Sequence, residues 1–389
     1  MTAVAVPQRG MRRRANAVNV WPSSFLYRWL LRLGVAVPTF ALLYWVTQIL
    51  PLANTANDRL AARGDLIVWG ASDLYWVAKV FPPLSAALSS IIRGNGLAML
   101  AIAALVIGLL SQRAMGVLRR RQFGWPATFA VLATIWLSPA LYFLASRDLQ
   151  SILGLALLLL ALDSLETFVV NRSTEHGFWA GIALGVAVMV DPSMWVFVVI
   201  IAAIGPFIAE RSGHLGPGSH GATAIVLSFP ALAALGFWIF VSWWFTADAL
   251  GVLRGFADPW FPGGVGGSAR AAGSSLVFSL ASSPLFLVAY TMRLRLGELR
   301  RLVAPTVAVV GMVLALWLGV RSAGGHSYLL MILLYIVVLS PMRPSRRRQG
   351  LIIGSALAQL VLAWFLPLVR GSSSPIGSWV RDLWQAIFG

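Results

Sequence analysis

Apolar residues run in blocks of roughly 20 along most of the chain, and polar residues are confined to the stretches between them, the pattern of membrane-crossing helices. The blocks lack the strict alternation of barrel strands, and a helix satisfies its own backbone in lipid. The pattern predicts eleven spans: Trp29–Leu50, Leu97–Leu110, Trp125–Leu144, Ser151–Val170, Phe178–Val190, Met194–Ala209, Ala222–Phe245, Ser274–Met292, Leu302–Val320, Tyr328–Ser340 and Leu351–Val369. The fifth, sixth and tenth are short. The fifth and sixth read either as a hairpin that does not fully cross or as two spans extended by their neighbours. Apolar residues before the second span would allow it to extend back to Leu84. The first run is too long for the apolar part of a signal peptide and reads as a retained anchor.

Composition agrees with the pattern. The chain is 59% hydrophobic and 11% charged, where a soluble domain has roughly 25% charged residues. The expected fold class is therefore an all-α polytopic membrane protein. Three segments follow: a basic N-terminal stretch 1–28, a transmembrane domain 29–370 with long outer loops 51–96 and 246–273, and a C-terminal segment 371–389. No internal repeat and no separate soluble domain is visible. Within the last segment, Trp379, Leu383, Trp384 and Ile387 are spaced for an interfacial helix.

The net charge of +17 raises the question of nucleic acid. The basic residues answer it, because 19 of the 30 fall in alternate loops, Arg9 to Arg28, Arg113 to Arg121, Arg172, Arg211, Arg293 to Arg301 and Arg343 to Arg348, while ten are spread thinly over the others. That alternation sets membrane orientation and places the N-terminus in the cytoplasm and the C-terminus outside. The expected location is the cell membrane, with lipid and not nucleic acid as the basic residues' partner. Asp58, Asp65, Asp73, Asp148, Asp191, Asp248, Asp258 and Asp382 all fall on the opposite, outer side. The chain has no cysteine, and its four histidines are scattered. No motif announces a metal or cofactor, so any divalent ion would have to be held by carboxylates alone.

The stretch Gly64–Leu88 combines two aspartates with Asp65-Leu66-Ile67-Val68-Trp69, Leu74-Tyr75 and Phe81-Pro82-Pro83 in that order. Further on come Ser138-Pro139, Arg147-Asp148-Leu149-Gln150, the glycine-rich Gly177-Phe178-Trp179-Ala180-Gly181-Ile182-Ala183-Leu184-Gly185, and Gly324-Gly325-His326-Ser327-Tyr328. Together these resemble the GT-C superfamily of membrane glycosyltransferases, most nearly its polyprenyl-phosphomannose-dependent mannosyltransferases. The resemblance covers about the first half of the chain and the late His326 loop. Trp69 stands where that branch has a tyrosine, and Asp191-Pro192 where it has a lysine before proline. The resemblance implies transfer of a sugar, mannose favoured, from a polyprenyl-phosphate donor to a lipid or glycan acceptor on the outer side. It also implies inversion, with an aspartate as general base.

Each candidate residue carries two readings. Asp65 heads the family-like stretch and is the first choice for the base, with Asp73 second; capping or solvation is the alternative for both. Asp58, after Asn57, reads as a turn or cap. The resemblance places Tyr75, His326 and Tyr328 near the substrate, where His326 would meet phosphate or acceptor or simply begin a helix. Lys79, Arg254, Arg270 and Arg321 would clamp a lipid phosphate or merely face lipid headgroups. Asp258 and Trp260 would cover a sugar or anchor the loop at the interface. Asp163 and Glu166, one turn apart, would be either a proton-coupled pair or acids reaching toward the interface. Two other functions compete with transfer: a transporter or flippase, and a non-catalytic subunit derived from the transferase fold.

Overall fold

The computed structural model describes residues 21–50, 55–70, 75–171, 174–211, 219–249, 264–297, 299–318, 345–370 and 375–389, and all regular structure among them is helical. In chain order the helices are α1 (Phe25–Ile49), α2 (Ala56–Asp65), a 3-10 turn η1 (Tyr75–Lys79), α3 (Pro83–Ile91), α4 (Gly96–Arg120), α5 (Trp125–Trp136), α6 (Pro139–Arg147), α7 (Leu149–Asn171) and α8 (Thr174–Val190). They continue with α9 (Met194–Arg211), α10 (Ser219–Thr246), α11 (Gly264–Ala281), α12 (Pro284–Arg295), a 3-10 turn η2 (Leu299–Leu302), α13 (Val303–Trp317), α14 (Arg346–Arg370) and α15 (Pro375–Phe388). Among these, α1, α4, α7, α10 and α14 are long and apolar enough to cross a membrane, giving five spans, or up to seven if each of two bent pairs is one span. The protein is a helical membrane protein.

The bent pairs change the expected map. The third expected span is two helices, α5 and α6, meeting at 44°, and the eighth is α11 and α12, meeting at 81°. In each case a proline opens the second helix, Pro139 or Pro284. Its ring disfavours a helical residue before it and removes one N–H from the ladder. The second span does not reach back to Leu84. Arg93 and Gly94 take positive φ, 53° and 61°, and end α3. Asn95 then caps α4, its side chain accepting from Leu97 N at 2.9 Å and Ala98 N at 3.2 Å. The expected fifth, sixth and ninth spans are the shorter apolar helices α8, α9 and α13. The expected tenth lies outside the described residues.

Arginines gather at one end of the bundle. Arg32 on α1 donates through Nε and Nη2 to Gln112 Oε1 on α4, at 3.3 and 3.1 Å, and Gln112 donates to the Trp21 carbonyl. Arg113 pairs with Asp163, and Arg121 Nη2 lies 3.1 Å from Glu166 Oε1, so two ion pairs join α4 to α7. Asp163 and Glu166 are thus bound to arginines and not to each other. Gln349 lies against Gly124 at the same end. From there α5 and α14 run parallel, because Trp364 Nε1 donates to the Leu137 carbonyl at 2.9 Å, well along both helices.

α8 packs against both α7 and α10. The glycines of α8 let the helices close up: a Cβ on Gly181 would lie 2.5 Å from the Val226 carbonyl oxygen, and one on Gly185 would lie 3.0 Å from the Pro230 carbonyl carbon. This is the small-residue packing that membrane helices use in place of a hydrophobic driving force.

Candidate functional site

The segment around Asp65 is a folded platform at the end of the bundle opposite the arginines. It starts with a capping box. The Thr55 backbone N donates to Asp58 Oδ2 at 2.7 Å, and Asp58 N donates to Thr55 Oγ1 at 3.2 Å. Asp58 therefore starts α2, as reciprocal capping requires. Asn57 reaches across to the α6–α7 junction, where its Nδ2 donates to the Ser146 carbonyl at 3.3 Å and its Oδ1 accepts from Leu149 N at 2.8 Å. Asp148 completes that junction by accepting from Ser151 N at 2.9 Å.

The far end of α2 is held by α3. Gly64 abuts Ser89 and Ser90, where a Cβ would come within 2.8 Å of Ser90 N. Trp69 Nε1 donates to Ser90 Oγ at 2.8 Å. Beyond it, Ile67, Val80 and Ala86 form a small apolar cluster capped by Trp76 and by Trp238 of α10. The segment is therefore clamped to α7 through Asn57 and to α10 through Trp238. Rigid support of this kind is what a reacting side chain needs.

On this platform Asp65 is the last residue of α2 and is exposed. Tyr75 and Lys79 begin and end η1, and both are exposed as well. The structure thus carries Asp65, Tyr75 and Lys79 on one folded segment, open to solvent. Asp73, Arg254, Asp258, Trp260, Arg321, His326 and Tyr328 lie outside the described residues. Arg270, on α11, is exposed. A carboxylate at a helix C-terminus sits near the negative end of the helix dipole. The capping role in α2 belongs to Asp58 at its other end, and not to Asp65.

Other groups at this end have contacts that the sequence reading did not give them. Asn57 appeared only as part of a turn, and its partners lie 89 and 92 residues away. Asp191 is 1% exposed, accepts from Ser193 N and Oγ, and lies against Gly154 of α7. Arg147 stacks over Phe143, its guanidinium carbon 5.4 Å from the ring centroid, and faces the charge of Asp382 on α15. α15 itself is amphipathic: Trp379 and Leu383 are buried against the bundle, and Trp384 and Ile387 face outward.

No three His, Asp or Glu side chains among the described residues are grouped to hold a metal ion. A cavity of about 10 Å³ between α4, α5, α6 and α7, lined by Ile107, Ser111, Ile135, Leu141 and Ile152, is the size of one water and excludes a sugar. Comparison with protein-family models, curated proteins and solved structures finds no match.

Proposed function

We propose that the protein transfers a sugar, mannose favoured, from a polyprenyl-phosphate donor to a lipid or glycan acceptor at the outer face of the cell membrane. One observation carries this reading: Asp65 stands exposed on a clamped platform, at the end of a membrane bundle opposite the Arg113–Asp163 and Arg121–Glu166 pairs. A base at that position would take the proton from the acceptor hydroxyl as the sugar inverts, and the phosphate would leave with its own charge. Lys79 and Tyr75, on the same platform, supply a cation and a hydroxyl for the donor's phosphate. Trp260 with Asp258, His326 with Tyr328, and Arg254 and Arg321 remain candidates for closing the site from the other outer segments, and Asp73 is the alternative base.

The test is transfer of radiolabelled sugar in proteoliposomes from mannose, glucose and arabinose carriers. Wild type should transfer at least one of them. Asp65→Asn should lose about 10²–10⁴-fold in rate, the usual worth of a general base. Asp58→Asn should keep its rate, because Asp58 is committed to the helix cap. If no carrier supports transfer and Asp65→Asn leaves the cell's glycans unchanged, the non-catalytic reading replaces this one.

A second reading, a transporter or flippase, has one observation in its favour. Two spans are broken, at 44° and 81°, and broken helices are where transporters build substrate sites. Counterflow of a polyprenyl-phosphate sugar across the membrane, unaffected by Asp65→Asn, would favour it.

A further inference from the structure

At the arginine-rich end of the bundle the two carboxylates of α7 are already engaged, Asp163 by Arg113 and Glu166 by Arg121. Arg119 of α4 points elsewhere, two residues and so about 200° round the helix from Arg121. Its guanidinium carbon stands 4.3 Å from the ring centroid of Trp125, the first residue of α5. Its Nη1 donates to the Phe123 carbonyl at 3.4 Å. Gly124 lies between Phe123 and Trp125, and the side chain of Gln349 from α14 lies against Gly124. Arg346, Arg347 and Arg348 form the turn of α14 that leads into Gln349. The end of α4 and the starts of α5 and α14 therefore meet at Gly124. Arg119 is on one side of it, and the arginine-bearing turn of α14 is on the other.

Among the described residues no carboxylate forms an ion pair with any of these four arginines. The first turn of α14 holds no acid, and cations there face the positive end of the helix dipole. Membrane orientation accounts for arginines on this side, but not for their gathering at one notch. The charge calls for an anion from outside the chain.

Depth in the membrane identifies that anion. The span of α4 ends at Arg119 and the span of α14 begins at Arg346, so the notch lies at the level of lipid headgroups. Trp125 and Phe129 of α5 are 44% and 50% exposed, and their rings stack with centroids 5.5 Å apart. A small soluble anion gains nothing from these rings, whereas an acyl chain would lie along them. Basic pockets between membrane helices take lipid headgroups, and a guanidinium offers phosphate two parallel donors.

We propose that this notch binds the phosphate of an anionic phospholipid from the leaflet on the arginine side, with an acyl chain along Trp125 and Phe129. It lies at the opposite end of the bundle from Asp65 and does not depend on the transfer reaction.

The test is native mass spectrometry of the full-length protein in a neutral detergent, titrated with phosphatidylglycerol or phosphatidylcholine. Wild type should bind a first phosphatidylglycerol about tenfold or more tighter than phosphatidylcholine, whose choline cation would meet the arginines. Arg119→Gln should weaken phosphatidylglycerol about tenfold, the usual worth of a hydrogen bond to a charged group. Arg346→Gln serves as the second variant if Arg119→Gln does not fold. Phe129→Ala keeps every charge and should still weaken the lipid several-fold, through lost apolar contact. Arg270→Gln removes the same charge from an exposed position on α11 and should leave binding nearly unchanged. Glycerol 3-phosphate, which has the phosphate but no acyl chain, should not displace the lipid at equal concentration. The proposal is overturned if the two lipids bind alike, if Arg270→Gln weakens binding as much as the notch variant, if Phe129→Ala has no effect, or if glycerol 3-phosphate displaces the lipid.

Discussion

Gly181→Ala is the sharpest test of how α8 and α10 meet. The added Cβ would lie 2.5 Å from the Val226 carbonyl oxygen, 3.3 Å from the Leu227 carbonyl oxygen and 3.3 Å from Pro230 Cγ. The first two contacts are backbone, so no rotamer change relieves them. Ordinary contact begins near 3.5 Å, so α10 would have to retreat by about 1 Å along its whole crossing with α8. Overpacking of this kind costs about 1–3 kcal/mol. Better helix propensity of alanine returns at most about 1 kcal/mol. Gly185→Ala meets its nearest atom at 3.0 Å and should cost less, whereas Gly236→Ala meets nothing within 4 Å and should be neutral or slightly stabilising. The assay is the melting midpoint of each variant in one detergent, read by size-exclusion fluorescence after heating. The expected order of stability is Gly236→Ala highest, then Gly185→Ala, then Gly181→Ala. Gly181→Ala melting with Gly236→Ala would refute the close α8–α10 crossing.

Other outcomes follow from single contacts. Asn57→Ala strips two hydrogen bonds from the α6–α7 junction and should cost about 1–3 kcal/mol, seen as a lower melting midpoint and as faster proteolysis of the platform. Glu166→Leu removes the carboxylate facing Arg121, and leaving one member of a buried ion pair costs about 3–5 kcal/mol; at 22% exposure for the arginine side chain, the lower end of that range is expected in the same melting assay. Orientation is read by single cysteines: Ala62→Cys and Gln385→Cys should label with an impermeant reagent in intact cells, and Ser345→Cys only after lysis. Labelling of Ser345→Cys in intact cells would reverse the map.

The helices were legible because their apolar blocks are long and the arginines fall between alternate pairs of them. The breaks were not. Pro139 and Pro284 are plain in the sequence, but hydropathy runs straight through both, and an 81° turn follows from how α12 and α14 pack, not from the proline alone. The glycines of α8 could be read as a packing face, but their partners Val226 and Pro230 could not. Asp65 stood out because its neighbours are local, from Gly64 to Pro83. Asn57 and Gln359 did not, since the partners of Asn57 lie 89 and 92 residues away and the amide of Gln359 has none among the described residues. An isolated polar residue gives no sign of either condition.

The most direct test of the central claim is a density map of the protein with a polyprenyl-phosphate sugar bound. The account predicts that the sugar's reacting carbon and an acceptor hydroxyl meet at the platform, with Asp65 within hydrogen-bond reach of that hydroxyl, about 2.6–3.2 Å or one water away. A well-ordered sugar at any other place on the protein, with Asp65 turned to bulk solvent, would contradict it.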